Sequence, residues 1–483
     1  MNSFATLTEW SDALQTKKIS AVETVDYFGE RIERLDPTLN SFITVDRERA
    51  RQEALKIDAD RARGGIISKL AGLPFGVKDA IDTEGIRSTG AAKILDTFVP
   101  TFDATVVKKL RASGAIIIGK QNCDAFGHGG SNENSMYGAV KNPWDISRVA
   151  GGSSGGSAVG VAADLCAFSI GEDTGGSVRA PASFCGVSGL KVSYGRTSRY
   201  GAMPMASSLD TVGPFAQTAE DLALILEHIA GPDPLDATSS YTPVQKYTEE
   251  IKKDIRGLKI GVPAEYFLDT LDDAINDAVV TALEALKSQG AILVPVSMPH
   301  TKYAIAAYYI IVPCEDSSNL ARLDGIRYGV RRGESEMLSL YAQSRTEGFP
   351  TEVKRRIMLG TFALSHGYYD DYYLQAQKVR TLIKRDFDTV FEKVDILATP
   401  TAPEIAFKLG DKTSDPLKMY LSDAFVTPAS LAGVCALSVP CGFVEGMPVG
   451  LQLMGPRMRE ELPLRAGHHF QQITSWHTHH PSL

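Results

Sequence analysis

The chain has 483 residues, 43% of them hydrophobic, enough to bury one large core or two to three domains. Its formal charge of -8 gives no global field for a polyanion, so any nucleic-acid contact would be local or made by a partner. No run reaches the roughly 18 consecutive apolar residues of a membrane span, and residues 1–16 carry Glu9 and Asp12 where a leader would be basic and then apolar, which implies a cytoplasmic protein with no membrane contact.

Residues 6–15 form an amphipathic helical pattern. Ser20 and Glu23 make a capping box ahead of a second helical run through Arg34, and Asp36-Pro37 is expected to stop it. From residue 70 the pattern changes to short apolar runs punctuated by Gly and Pro, at 73–77, 115–119, 166–171, 258–263, 291–296, 395–399, 436–440 and 449–454. Helical stretches at 104–113 and 271–289 precede two of these runs. The alternation predicts an α/β chain with a large central sheet. Residues 303–388 lack strand runs and are rich in Tyr, Arg and Leu, which predicts a mostly helical segment laid over that sheet.

Without repeats or linkers, the pattern reads as one domain over 1–483: N-terminal helices at 1–68, a core at 69–300, a helical segment at 301–390, and closing strands and helix at 391–483. Five of the nine histidines (His468, His469, His477, His479, His480) fall in the last sixteen residues. With no carboxylate or cysteine partners beside them they read as a solvated tail, with no metal site. The six cysteines are scattered without a C-x-x-C pair and read as reduced thiols.

Chemistry concentrates between Gly151 and Gly189, where ten of 39 positions are glycine, which points to a site built from main chain. Ser153 and Ser177 lie there, in Gly-Gly-Ser153-Ser-Gly-Gly-Ser and Asp-Thr-Gly-Gly-Ser177. A phosphate cradle fits poorly, since no P-loop or dinucleotide fingerprint is present and no lysine occurs between Gly151 and Lys191. A Ser-His-Asp triad formally matches Gly151-Gly-Ser-Ser-Gly155, but residues 141–145 before it read as a turn, and among the histidines outside the tail His128 is the one candidate base in a Gly-rich loop. Cys185 has no cationic neighbour in its immediate sequence and reads as a small buried hydrophobe. Asp173 and Arg179, flanking Ser177, read as a pair that braces the loop.

A third arrangement needs no histidine. Lys78 follows the apolar run Leu-Pro-Phe-Gly-Val, which places it at the end of a buried strand, a setting that favours the neutral amine a base requires. A second serine between the lysine and the nucleophile would relay the proton, and consecutive amides at Thr174, Gly175, Gly176 and Ser177 form a candidate oxyanion hole.

These three elements, in this order, resemble the amidase-signature family, whose diagnostic stretch corresponds to residues 149–190. The resemblance implies a Ser-Ser-Lys triad of Lys78, Ser153 and Ser177, with Ser177 the nucleophile and a cis peptide before Ser153. It also implies a mixed central sheet covered by helices on both faces, and carboxamide hydrolysis without a metal or organic cofactor.

Outside that stretch, Glu133-Asn-Ser135, Lys141-Asn-Pro-Trp-Asp145, residues 194–201, Ser317-Ser-Asn-Leu-Ala-Arg322, residues 324–329, 352–360 and Gln377-Lys-Val-Arg380 are similar to the A subunits of tRNA-dependent amidotransferases, which serve glutamyl-tRNA(Gln) or aspartyl-tRNA(Asn). That resemblance implies glutamine as substrate and a heterotrimer. A second subunit, using ATP and Mg, would make the main tRNA contact, and a small third subunit would brace the pair. It further implies Arg356 on the glutamine carboxylate, Asp423 on its ammonium and Tyr308 lining the pocket.

This chain departs from those subunits at Ala150 (usually Pro), Ala180 (usually Gln), Ser430 (usually Asn) and across Cys123-Asp-Ala-Phe-Gly-His128. A free-standing aliphatic or aryl amidase and a catalytically silent scaffold remain as other readings.

Overall fold

The computed structural model describes residues 5–65, 68–267, 271–333 and 336–483. The positions between these ranges fall within the predicted 1–68, 69–300 and 301–390 segments and lie outside the described residues.

Eleven strands form one mixed sheet: β1 Phe42–Val45, β2 Pro74–Lys78, β3 Ile116–Gln121, β4 Phe168–Asp173, β5 Ser188–Lys191, β6 Thr211–Ala216, β7 Lys259–Pro263, β8 Ile292–Val296, β9 Ile396–Pro400, β10 Cys435–Val444 and β11 Met447–Gly455. Their order is β1-β3-β2-β4-β6-β5-β10-β11-β9-β7-β8, with helices on both faces. β2 pairs in parallel with β3 and with β4, so the C-terminal ends of β2 and β4 emerge side by side. β2, β3, β4 and β6 are buried at every position, as expected of strands covered on both faces. All eight apolar runs are strands.

The capping box at Ser20 is present: Glu23 N–H donates to Ser20 Oγ at 3.1 Å and Ser20 N–H to Glu23 Oε2 at 2.8 Å. The helix it starts does not stop at Pro37. It spans Ala21–Leu39, because burial of Ile32 and Leu39 in the core outweighs the one helical hydrogen bond that Pro37 cannot donate, and Asn40 closes the helix with a left-handed φ of 56°.

Residues 301–390 are mostly helical, as Ala304–Asn319, Met337–Gly348, Thr351–Ala363 and Gln375–Phe391. Ala304–Asn319 and Thr351–Ala363 approach so closely that a Cβ on Gly360 would lie 1.8 Å from the Pro313 carbonyl oxygen.

The histidine-rich end is not a solvated tail. His468 and His469 belong to the helix Glu461–Ile473, and the His479 ring lies 5.4 Å from that of Phe443 on β10. Apolar positions of that helix (Leu462, Leu464, Ala466, Phe470) enter the core, which is why it docks.

Candidate active site

Lys78 is the last residue of β2, and only 1% of its surface is exposed. Its Nζ donates to Ser153 Oγ at 2.8 Å. Ser153 sits in the glycine loop before the helix Gly155–Ala162, and the Gly152–Ser153 peptide is cis. A Cβ on Gly152 would lie 2.1 Å from Asp124 Oδ2 and 2.9 Å from the Ser131 and Asn132 nitrogens, so only glycine lets this loop approach its neighbours. Asp124 ties the two loops together: its main-chain N–H donates to Ser153 O at 3.0 Å, and its carboxylate accepts the N–H groups of Asn132 and Asn134 at 2.9 Å each.

β4 delivers the second serine. After Asp173 the chain turns through Thr174-Gly175-Gly176 to Ser177 and enters the helix Arg179–Cys185. Asp173 and Arg179 form the predicted pair, both fully buried, with Arg179 Nη2 2.9 Å from Oδ1 and Nε 3.0 Å from Oδ2. Burial works against the Asp173 charge, but the Arg179 guanidinium overrides it and holds the carboxyl down at about 2. Arg179 also donates to Val426 O, Gln452 Oε1 and, at 2.9 Å, to Ser430 Oγ, which places the Ser430 departure directly behind the nucleophile loop.

Of the predicted oxyanion donors, Gly176 is otherwise engaged: its N–H donates to Asp173 Oδ1 at 2.8 Å. The N–H groups of Gly175 and Ser177 make no hydrogen bond among the described residues. Thr174 is fixed by its hydroxyl, which donates to Asp210 Oδ1 at 2.7 Å.

The two serine loops meet through main chain, Ser154 N–H donating to Ser177 O at 3.3 Å. Ser177 Oγ makes no hydrogen bond among the described residues, so the Lys78–Ser153 half of the expected relay is formed and the Ser153–Ser177 half is open. Catalytic hydrogen bonds are commonly loose until substrate is bound. The histidine alternative finds no support in this geometry. His128 is bonded to the buried Asp316 and to the carbonyls of Ala125 and Phe126, and to neither serine. Cys185 is buried, and burial pushes its thiol far up, as expected of an inert core residue.

Sequence reasoning missed Glu172. Its carboxylate lies 3.5 Å from Lys78 Nζ, and burial pushes it up to about 7 against the opposing pull of that lysine. The approach arises because β4 runs beside β2, which no local pattern reveals.

A second cluster adjoins the serine loops. Tyr308 is packed against Gly175, where a Cβ would lie 2.3 Å from Tyr308 Cζ. Its neighbour Tyr309 donates to Asp423 Oδ2 at 2.7 Å and stacks on Tyr420 with ring centroids 3.8 Å apart. The Arg356 guanidinium lies over both rings, 5.0 Å from the Tyr309 centroid and 5.4 Å from that of Tyr420, and its Nε donates to Glu352 Oε1 at 2.9 Å. Its two terminal nitrogens make no hydrogen bond among the described residues.

Arg356 is therefore not part of a solvated helix face, whereas Arg355 is 38% exposed. Asp423 faces the 128–132 loop, 3.3 Å from the position of a Cβ on Gly130, whose carbonyl accepts Gly152 N–H at 2.8 Å. Burial pushes Asp423 up to about 6. Glu352, Tyr309 and Tyr420 were not singled out from sequence as partners of Arg356. The Glu352–Arg356 spacing of four on one helix was the available signal.

The Amidase family model matches residues 23–464. The chain belongs to the amidase family. Its membership extends to full-length relatives, among them the A subunit of glutamyl-tRNA(Gln) amidotransferase from Chloroflexus aggregans, 52% identical over 480 residues that cover 99% of this chain and 98% of that protein. The protein of the same name from Geobacillus kaustophilus is 51% identical over 478 residues, covering 99% of each. The crystal structure of the glutamyl-tRNA(Gln) amidotransferase A subunit from Thermotoga maritima superposes with a TM-score of 0.79 at 39% identity, over 94% of this chain and 92% of that one. An amidase-family enzyme with the amidase-signature fold accounts for the serine loops, the sheet and the full-length similarity together.

Proposed function

We propose that this chain is the glutamine-hydrolysing A subunit of a tRNA-dependent amidotransferase. The observation that carries the substrate is the pairing of opposite charges around one tyrosine: Arg356 over the face of Tyr309, and Asp423 on its hydroxyl. A free amino acid presents an anionic carboxylate and a cationic ammonium close together, and a guanidinium beside a carboxylate recognises that pair. Tyr308, against Gly175, forms the wall between this cluster and the nucleophile loop.

In the proposed reaction Ser177 attacks the glutamine δ-carboxamide while Lys78 draws a proton through Ser153. The Gly175 and Ser177 amides, at the tip of the Thr174–Ser177 turn, take the oxyanion, and Gly176 holds the turn's shape through Asp173. Ser153 returns the proton to the departing ammonia, and water then cleaves the glutamyl ester. The names of the full-length relatives support delivery of that ammonia to partner subunits. A second subunit, using ATP and Mg, would activate glutamyl-tRNA(Gln) or aspartyl-tRNA(Asn) and make the main tRNA contact, and a small third subunit would complete a heterotrimer. This chain then needs no metal or organic cofactor of its own. No helix among the described residues is long and apolar enough to cross a membrane.

Ammonia release from glutamine, measured for the purified chain alone and with copurified subunits, tests this reading. Release that rises with the partners is expected. Efficient cleavage of hydrophobic amides with none of glutamine would replace it with a free-standing amidase.

A further inference from the structure

The Lys78 amine has a second buried partner that the Ser-Ser-Lys arrangement does not use. Glu172 lies on β4, beside β2, and its carboxylate is within 3.5 Å of Lys78 Nζ, on a strand whose next four residues lead to Ser177. Its main chain is fixed as well, the Ser154 hydroxyl donating to Glu172 O at 3.1 Å and accepting Glu172 N–H at 3.3 Å. The same residue is thus anchored to both serine loops, with its carboxylate in reach of the base.

We propose that the general base of this site is the Lys78–Glu172 pair, with Glu172 as a positioning residue that receives through Lys78 the proton taken from Ser177. This rests on the Ser177–Ser153–Lys78 reading above. In the resting pair Lys78 is an ammonium and Glu172 a carboxylate. One proton passes from Nζ to the Glu172 carboxylate, and the freed lone pair takes the Ser153 proton. Ser153 takes that of Ser177 as the Ser177 oxygen bonds to the carboxamide carbon and the C=O electrons move to oxygen. The pair ends with one proton more, as ammonium and carboxylic acid, and the oxyanion carries the balancing negative charge. The proton returns by the same path to the leaving nitrogen when the C–N bond breaks.

Lys78 then need not begin as a neutral amine. Acid inactivates the pair by adding the second proton in advance, and burial pushes Glu172 up to about 7. The other charged and titratable groups that act on the pair are Asp82 beyond β2, Lys120 at the end of β3, Cys123 and Asp124 after it, and Asp210 before β6.

The test is the pH profile of kcat/KM for glutamine hydrolysis by the assembled complex. The wild type is expected to lose activity about tenfold per pH unit below roughly pH 7, as protonation of one group requires. With Glu172→Gln only a neutral lysine can accept the proton, so the acid limb moves to higher pH by at least about one unit and activity at pH 7 falls at least about tenfold. A limb that stays in place, or a Gln variant as active as wild type at pH 7, overturns the proposal; a merely structural role would lower the plateau without moving the limb. If the variant does not fold, a wild-type profile that is flat between about pH 6 and pH 8 overturns it. Failure of the underlying reading is separately visible, because Ser177→Ala would then leave hydrolysis intact.

Discussion

Gly175 lies against the ring of Tyr308, with space for no side chain: a Cβ on residue 175 would be 2.3 Å from Tyr308 Cζ. Tyr308 is 4% exposed and sits on a helix packed into the core, so it has little freedom to retreat. Gly175→Ala is therefore expected to cost about 1–3 kcal/mol of stability. It should also lower kcat by about 100-fold or more, the scale of losing one oxyanion donor. Denaturant melts with steady-state kinetics check both. Adding Tyr308→Ala should recover part of the stability.

In the proposed function Arg356 holds the substrate and performs no chemistry. Arg356→Gln is expected to raise KM for glutamine at least about tenfold while changing kcat much less, as loss of uniform binding does. Simple aliphatic amides, which lack the α-carboxylate, should show no such change. Because Glu352 keeps Arg355 and Tyr420 as partners, the variant is expected to remain folded.

The Asp173–Arg179 pair predicts an acid limit to stability. Asp173 lies at about 2 in the folded chain against 3.8 for the free side chain. A depressed carboxyl stabilises the fold above its unfolded value, and that contribution is lost as pH falls through the folded value. About 2 kcal/mol should disappear between roughly pH 4 and pH 2. Asp173→Asn should remove this part of the acid dependence and, by leaving the Arg179 charge uncompensated, cost about 3–5 kcal/mol at pH 7.

The buried acids around the site carry the opposite sign. Asp82, Asp124, Asp210 and Asp423 are pushed up to about 6, and Glu172 to about 7, by burial. A raised carboxyl favours the folded state fully below its unfolded value, and that advantage declines as pH rises through the folded value. Thermal melts should therefore give a higher Tm near pH 5 than near pH 8. Asp423→Asn should reduce that difference.

Much of this was legible in order along the chain. Each of the eight apolar runs supplied enough contiguous burial to fix a strand, and Lys78 follows one of them directly. Three strands were not read. β1 is a four-residue edge strand closely following a helix. β5 is Ser-Gly-Leu-Lys, and β6 carries Gly213-Pro214 at its centre, a pair that reads as a turn until β4 and β5 flank it. Pro37 misled for the converse reason, since packing of Ile32 and Leu39 into the core outweighs the one helical bond that the proline removes.

At the site, the nucleophile loop and its Asp173–Arg179 brace were visible because their residues are close in sequence. The approach of Glu172 to Lys78, and the seating of Arg356 between Tyr309, Tyr420 and Glu352, depend on strand pairing and helix packing that join distant segments. The loss of Gly176 as a free donor likewise required the direction of one amide, which sequence does not specify.

The most direct test of the central claim is ammonia release from glutamine by the wild-type complex and by the same complex carrying Ser177→Ala. The account predicts hydrolysis in the first and a loss of about 1,000-fold or more in the second, with the fold intact by thermal melt. Glutamine hydrolysis that persists in the Ser177→Ala complex would contradict it.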